Sequence, residues 1–500
     1  MGTCTHLAAA FDSNTQGPEY TSSGGPSRTL RYIKERGSQL LDQNFVMGNY
    51  LMRKGVASNN SQDETICNRR KANIKFEDLP EDVQCTILSK LPLKEVVRTS
   101  VLSSEWRYLW VNCPNLCFDS AEISGHKRCM KKFIDNVNVV LHKCHGDVVE
   151  ALKVKFGFHT TLADHVNSWI SFAASSRLKV VAFDLEPIDG WFRDDRYIFP
   201  FELLNNESIS CLQSIQLSFV SLKPPFQFGG FPNLRKLDLS MVHVTRKDLE
   251  DTLSSCCNIE WLSLDRCHLR DELKVDTPLF HLHHLRILRC EFTKIQFHAV
   301  NLDTFVYIGD LRPIVLNHSR KLNDVSISLC KAIFQHAVAA LLNSLPSMKH
   351  LTFHVLFLRI EMQELSNNPN KFSHLRNLQL FMNIHLKDAD KILFLVSFLR
   401  ATPLIETLEV DFNSAGLGFV DVGPTRQNLE RYEYSHLKSA CITGYVGARG
   451  QVEFILHVVE NAPALDVLTV YTTTRELHEH AAAQVAKCQK HSPTLKICIV

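Results

Sequence analysis

The sequence predicts an α/β chain in three parts: a short helical module, a repeat solenoid with a curved parallel sheet and convex helices, and a C-terminal α/β cap. Three observations carry this. Residues 74–118 space their apolar side chains as compact helices. From about residue 147 an apolar residue, two variable ones, an apolar one, one variable and another apolar recur to the C-terminus. The last stretch keeps the strand spacing but adds a glycine-marked turn and a helix. The composition agrees. Of 500 residues, 45% are hydrophobic and 22% charged, which suits a chain with a large core and excludes global disorder. Lys+Arg 55 against Asp+Glu 53 leaves +2, which gives no general reason to expect a polyanion partner.

Residues 1–73 read as loosely ordered, because fifteen of the first thirty are Gly, Pro, Ser or Thr and no apolar period persists. A short helix over Leu30 to Leu51 is the one candidate element there, and Arg69, Arg70 and Lys71 read as a solvated charge run. The longest apolar run, Ile392 to Leu399, is eight residues and contains Ser397, so no membrane span is expected. No apolar core follows a basic start, so no secretory signal is read. Sixteen cysteines without a Cys-x-x-Cys pair read as reduced thiols of the cytoplasm and/or nucleus.

In residues 74–118, Pro80 suits a first helical position, and Glu81 and Asp82 sit on the positive end of the helix dipole. Val83, Ile87, Leu88 and Leu91 share a face, and Pro92 stops the helix. Leu93, Val96, Val97 and Val101 line a second helix. Ser103 or Ser104 caps a third that carries Trp106, Leu109 and Trp110. Three helices this short cannot bury all these apolar groups among themselves, so the module needs a partner surface. Leu79-Pro80-Glu81-Asp82-Val83, Ile87 to Pro92, Arg98 to Ser103 and Trp106 to Trp110 closely resemble the F-box of plant proteins. Gln84 and Glu105 depart from that pattern, standing where apolar and basic residues are usual. The resemblance implies docking on a Skp-type adaptor, and through it on a cullin, by Leu79, Pro80, Ile87, Leu88, Leu91, Pro92, Val96, Val97, Leu102 and Trp106.

The repeat unit reads Leu178-x-x-Val181-x-Phe183, then units opening at Leu212, Leu234 and Ile259, then Leu285-x-x-Leu288-x-Cys290. It continues from Leu302, Leu322, Met348, Leu375, Ile405, Leu437 and Leu465. From Leu212 to Leu465 ten steps cover 253 residues, about 25 each, within the leucine-rich-repeat range. The last two apolar positions of each unit alternate along a short strand and face inward, and neighbours must stack to bury them. Longer spacers such as Lys387 to Leu399 read as convex helices. This region, 119–425, resembles the leucine-rich repeats that follow plant F-boxes. The solvent-facing strand positions offered for target contact are Gln216, Asp238, Ser263, Arg289 and Gln379.

Residues 426–500 read as a strand at His436 to Tyr445, a loop with Gly447 and Gly450, and a helix from Val452. A strand after Leu465, a helix over Ala481 to Cys488 and a closing strand at Leu495 to Val500 follow. They resemble the FBD domain of plant F-box proteins. A terminal cap is what stacking requires; target docking is the other role open to it.

No catalytic motif is present: no Gly-x-Gly-x-x-Gly, phosphate loop, Gly-x-Ser-x-Gly elbow or His-Glu-x-x-His. The histidine clusters at 142–145, 281–284 and 478–480 lack a second ligand pair at zinc spacing. The basic run from His126 to Lys132 lacks interleaved aromatics, so no nucleic-acid site is read there. No cofactor is expected. Together the parts imply a non-catalytic substrate receptor of a Skp–cullin–F-box ubiquitin ligase, holding an unknown target protein on the repeat arc. The alternative is an interaction scaffold whose F-box is vestigial.

Overall fold

The computed structural model describes residues 79, 80, 83, 84, 87, 111, 113–123, 130–144, 149–187, 195–225, 228–269, 271–317, 319, 321–330, 333–345, 347–358, 372–384, 392–393, 395–412, 425, 427, 429, 431–472, 475–489 and 495–500. The expected N-terminal helix and the second and third F-box helices lie outside these residues.

Fifteen parallel strands form one continuous sheet in strict chain order. They are β1 Asn115–Asp119, β2 Ala151–Lys155, β3 Val180–Asp184, β4 Ser214–Ser218, β5 Lys236–Ser240, β6 Trp261–Asp265, β7 His284–Leu288 and β8 Thr304–Gly309. The series continues with β9 Asp324–Cys330, β10 His350–Leu358, β11 Asn377–Ile384, β12 Thr407–Phe412, β13 Ser439–Tyr445, β14 Val467–Thr472 and β15 Lys496–Ile499. The inward positions of β1 to β14 are buried: Leu234, Leu237 and Leu239 of one unit expose at most 4% of their surface. Burying one strand's inner pair requires its neighbours, so one core runs from Cys113 to Leu495.

The unit expected at Leu285-x-x-Leu288-x-Cys290 is displaced by three residues. Leu285 pairs with Leu262 and Ile287 with Leu264, so the unit runs Leu282-x-x-Leu285-x-Ile287. Leucines at 282, 285 and 288 fit either register, and Ile287 fills the inner position better than the polarisable Cys290. Two further units precede the one opening at Leu178. Val149, Leu152 and Val154 are buried around β2, and Cys113, Leu116 and Phe118 around β1, so the sheet begins inside the span expected for the F-box.

Behind the sheet lie α1 Met130–Lys143, α2 Ala163–Ser175, α3 Asn206–Cys211, α4 Arg246–Ser254, α5 Phe334–Ser344, α6 Leu395–Arg400, α7 Arg449–Asn461 and α8 Arg475–Gln489. Capping follows the sequence: the Asn205 side chain accepts from Ser208 N–H at the start of α3, and Thr245 Oγ1 accepts from Asp248 N–H at the start of α4. The described part of the helix expected over Lys387 to Leu399 is α6, entered through a tight turn at Ile392 and Leu393. Phe398 of that helix meets Phe334 and Phe372 at 5.7 and 5.5 Å.

Helices do not back every repeat. The units opening at Ile259, Leu282 and Leu302 run 23, 20 and 20 residues, too short for a strand, two turns and a helix. There the convex side is a second parallel sheet of Leu273–Val275, Ile295–His298 and Ile314–Asn317.

The chain leaves β4 to β7 by one repeated device. Phe219, Met241, Arg266 and Arg289 follow these strands with φ of 60°, 51°, 51° and 49°. Their N–H groups donate to carbonyls at the C-terminal ends of the following strands: Ser240, Asp265, Leu288 and Ile308. None is glycine, so each holds a conformation that L-residues avoid because stacking over-determines it.

Candidate functional site

The described F-box residues place the first helix. Val83 and Gln84 N–H both donate to the Pro80 carbonyl at 3.0 Å, opening the turn where proline cannot donate. Leu79 is half-buried and Pro80 exposed. Val83 and Ile87, four residues apart and hence on one face, expose 38% and 42% of their surface. Gln84 Nε2 donates to the Leu79 carbonyl at 2.9 Å, so the polar departure holds the chain as it enters the helix. Leu88, Leu91, Pro92, Val96, Val97, Leu102, Trp106 and Glu105 lie outside the described residues.

On the sheet, parallel registration sets equivalent repeat positions in rows across the face opposite the helices. The middle row runs Gln216, Asp238, Ser263, Arg286, Val306, Ser326, Thr352, Gln379 and Glu409 on successive strands. Gln216 and Gln379 are exposed. Thr352 Oγ1 donates to Gln379 Oε1 at 3.0 Å, and Gln379 Nε2 to Glu409 Oε2 at 2.9 Å. Two expected positions need correction. Ser263 is fully buried, because its small side chain sits in the row between the longer Asp238 and Arg286. Arg289 lies beyond β7, at the left-handed corner, as a result of the three-residue displacement; Arg286 holds the middle-row place.

The neighbouring row holds Lys236, Trp261 and His284, which the pattern alone did not single out. The Trp261 and His284 rings stack at 3.5 Å with 12° between planes, and Lys236 Nζ lies 5.2 Å from the indole centroid. Trp261 Nε1 and His284 Nε2 are buried without a hydrogen-bond partner. Burial, reinforced by Arg286 and Lys236, pushes the His284 pKa down to about 4. Burial raises the Asp238 pKa, while Lys236, the Ser263 hydrogen bond and Arg286 oppose the rise. Arg286 Nη1 lies 3.5 Å from Ser263 Oγ. A parallel register brings residues about 25 positions apart side by side, so sequence could show this patch only once each strand's register was known.

Elsewhere, a recess of about 520 Å³ opens at the N-terminal ends of β7 to β10, lined by His283, Asp303, Asn323, Lys321 and Lys349 among others. Asn323 Nδ2 donates to Asp303 Oδ1 at 2.5 Å, occupying that carboxylate. In the C-terminal unit, the fully buried Gln451 accepts from the N–H groups of Val446 and Ala448 and donates to the Gly444 carbonyl, locking the loop between β13 and α7. His457, 2% exposed, contacts Tyr434 Oη through Nε2 at 3.1 Å. Of the histidine clusters, His480 is engaged by Tyr445 Oη at 2.9 Å, and His142, His281, His283 and His478 are exposed. Among the described residues, no three His, Cys, Asp or Glu side chains form a metal-binding group, and no helix is long and apolar enough to cross a membrane. Cys113, Cys117, Cys144, Cys211, Cys256, Cys257, Cys267, Cys290, Cys441 and Cys498 are free thiols.

Comparison with known proteins gives two family matches. Residues 140–496 match the leucine-rich-repeat model described as At1g61320/AtMIF1, LRR domain, and residues 76–118 match the F-box domain model. The F-box/FBD/LRR-repeat protein At1g13570 of Arabidopsis thaliana is 25% identical over 421 residues, covering 79% of this chain and 90% of the relative. The F-box/LRR-repeat protein At3g26922 of the same plant is 31% identical over 204 residues, 41% of this chain and 62% of that one. The F-box/LRR-repeat protein At5g02910, also of Arabidopsis thaliana, is 27% identical over 314 residues, 57% and 61% of the two chains.

Proposed function

This chain belongs to the leucine-rich-repeat family described as At1g61320/AtMIF1, LRR domain, with an F-box ahead of the repeats, and on that premise we propose that it is the substrate-recognition subunit of a Skp–cullin–F-box ubiquitin ligase. The observation that carries the reading is the pairing of an F-box with an unbroken fifteen-strand repeat sheet in one chain. The exposed Val83 and Ile87 on one face of the F-box helix support it, since they leave apolar surface for an adaptor to cover.

The mechanism is tethering. The F-box holds the adaptor and the repeat sheet holds the target, which raises the target's effective concentration beside the ubiquitin-charged enzyme carried elsewhere in the assembly. No bond is made or broken by this chain. The proposed adaptor contacts are Leu79, Pro80, Ile87, Leu88, Leu91, Pro92, Val96, Val97, Leu102 and Trp106. The proposed target contacts lie in the open rows of the sheet, including Gln216 and Gln379.

Capture of a purified Skp-type adaptor by the full-length protein tests this, with Ile87→Asp and Leu88→Asp as variants. Micromolar or tighter binding that each variant weakens at least about tenfold is expected. Absence of binding by the folded wild-type chain would leave only the scaffold reading.

A further inference from the structure

The sheet between β5 and β7 carries more cationic and aromatic chemistry than repeat stacking requires. Further along the same middle row stand Val306, Ser326 and Thr352, neutral side chains that serve the fold as well. Around Trp261, by contrast, Lys236 and Arg286 flank Asp238, and both act on its carboxylate. Arg266 and Arg289 stand at the corners of β6 and β7, and Arg289 Nη1 reaches Asp265 only at 3.9 Å. Asp265 and Glu186 lie near Arg266 and Asp303 near His284, so the cationic surplus sits at Lys236 and Arg286, which share the single carboxylate of Asp238.

The stack itself comes at a cost to the fold. Trp261 Nε1 and His284 Nε2 lie buried and unpartnered, and a buried polar group without a partner destabilises the fold. An apolar pair at the same two positions would bury as much surface without that loss. Trp and Arg are also the residue types on which protein interfaces concentrate their binding energy.

We infer that this patch, Trp261 and His284 flanked by Lys236 and Arg286, is the docking point for an acidic peptide segment of the target. The carboxylates of that segment meet Lys236 and Arg286, and its chain lies across the stacked rings. A basic segment would meet like charge at Lys236 and Arg286, and a neutral one would leave them with Asp238 alone between them. The inference rests on the receptor reading and locates the target contact within the repeat sheet.

The test uses the full-length protein and a fluorescein-labelled decapeptide of alternating Glu and Ala, read by fluorescence anisotropy. Its Gln and Lys analogues and a ten-nucleotide oligothymidine serve as comparators. Binding of the Glu peptide is expected, weakening as salt screens the contact. Lys236→Glu combined with Arg286→Glu should weaken it at least about tenfold, and Trp261→Ala about fivefold. Reversal of the recess lysines, Lys321→Glu with Lys349→Glu, should leave it within about twofold, as expected of charges outside the contact. Arg286→Gln, with an unchanged melting temperature, guards against a folding artefact. Equal binding of the Gln peptide or the oligothymidine, or equal loss from the recess pair, overturns the inference. Adaptor capture is measured on the same preparations. Adaptor bound with the peptide unbound removes this inference alone, whereas failure of adaptor capture removes the receptor reading.

Discussion

The Trp261 indole lies flat against the His284 imidazole, 3.5 Å between ring centres, although the two residues belong to different repeats. This contact makes the fold sensitive to acid. The unfolded chain protonates His284 near its ordinary value, about 6.5, while the folded chain resists until about 4. A group whose folded pKa is depressed contributes stability above the unfolded value and loses it as pH falls through the folded one. Stability should therefore fall between about pH 6.5 and 4, by about 1–3 kcal/mol from this residue. Thermal melts of wild type and His284→Phe across that window measure it, and the variant should show the shallower slope.

Arg289 should tolerate glycine better than any β-branched residue. Its φ of 49° relieves glycine of a strain that a branched side chain worsens. Arg289→Gly should be neutral or stabilising by up to about 1 kcal/mol, and Arg289→Val destabilising by about 1–2 kcal/mol. Urea titrations at constant m-value separate the two. Phe219 shares the conformation but is buried, so Phe219→Gly should lose about 3 kcal/mol or more in the same assay.

Gly444 stands where no side chain fits. Its φ is +67°, and a Cβ there would lie 1.9 Å from the Phe412 carbonyl oxygen of the neighbouring strand. Gly444→Ala should cost about 2–4 kcal/mol by strain and clash together. Differential scanning calorimetry would register it as a lowered transition, and an unchanged melting temperature would refute the close approach.

Tyr434→Phe should leave His457 Nε2 without its contact to Tyr434 Oη inside a site only 2% exposed. A loss of about 1–3 kcal/mol is expected from removal of this buried contact. Hydrogen exchange along α7 would show the same loss locally.

The sequence made the repeats legible because each strand's inner pair has to be apolar: Leu237 and Leu239, or Leu378 and Leu380, could serve no other purpose at that spacing. It was ambiguous at Leu285, where leucines three apart satisfied two registers and only strand pairing chose between them. Cys113-x-x-Leu116-x-Phe118 carried the signal too, yet it sits directly behind the helical module and looks like part of it. The convex strands were hidden for another reason. Repeat length decides between helix and strand on that side, and length is known only after the register is settled. The Trp261 patch was the least legible, since its members are united by pairing across strands and not by proximity in the chain.

The short second sheet behind β6 to β8 bears on how the surface in front of it is shaped. Helices side by side need about 10 Å each, whereas strands need about 4.8 Å, the same spacing as the sheet they back. Where helices do the backing, the outer layer is wider than the inner one and drives them into a bend. Where Leu273–Val275, Ile295–His298 and Ile314–Asn317 do it, both layers keep one pitch and the wedge disappears. The Trp261 and His284 rings thus stand at the start of a level stretch of floor, which suits a straight, extended guest better than a rounded one.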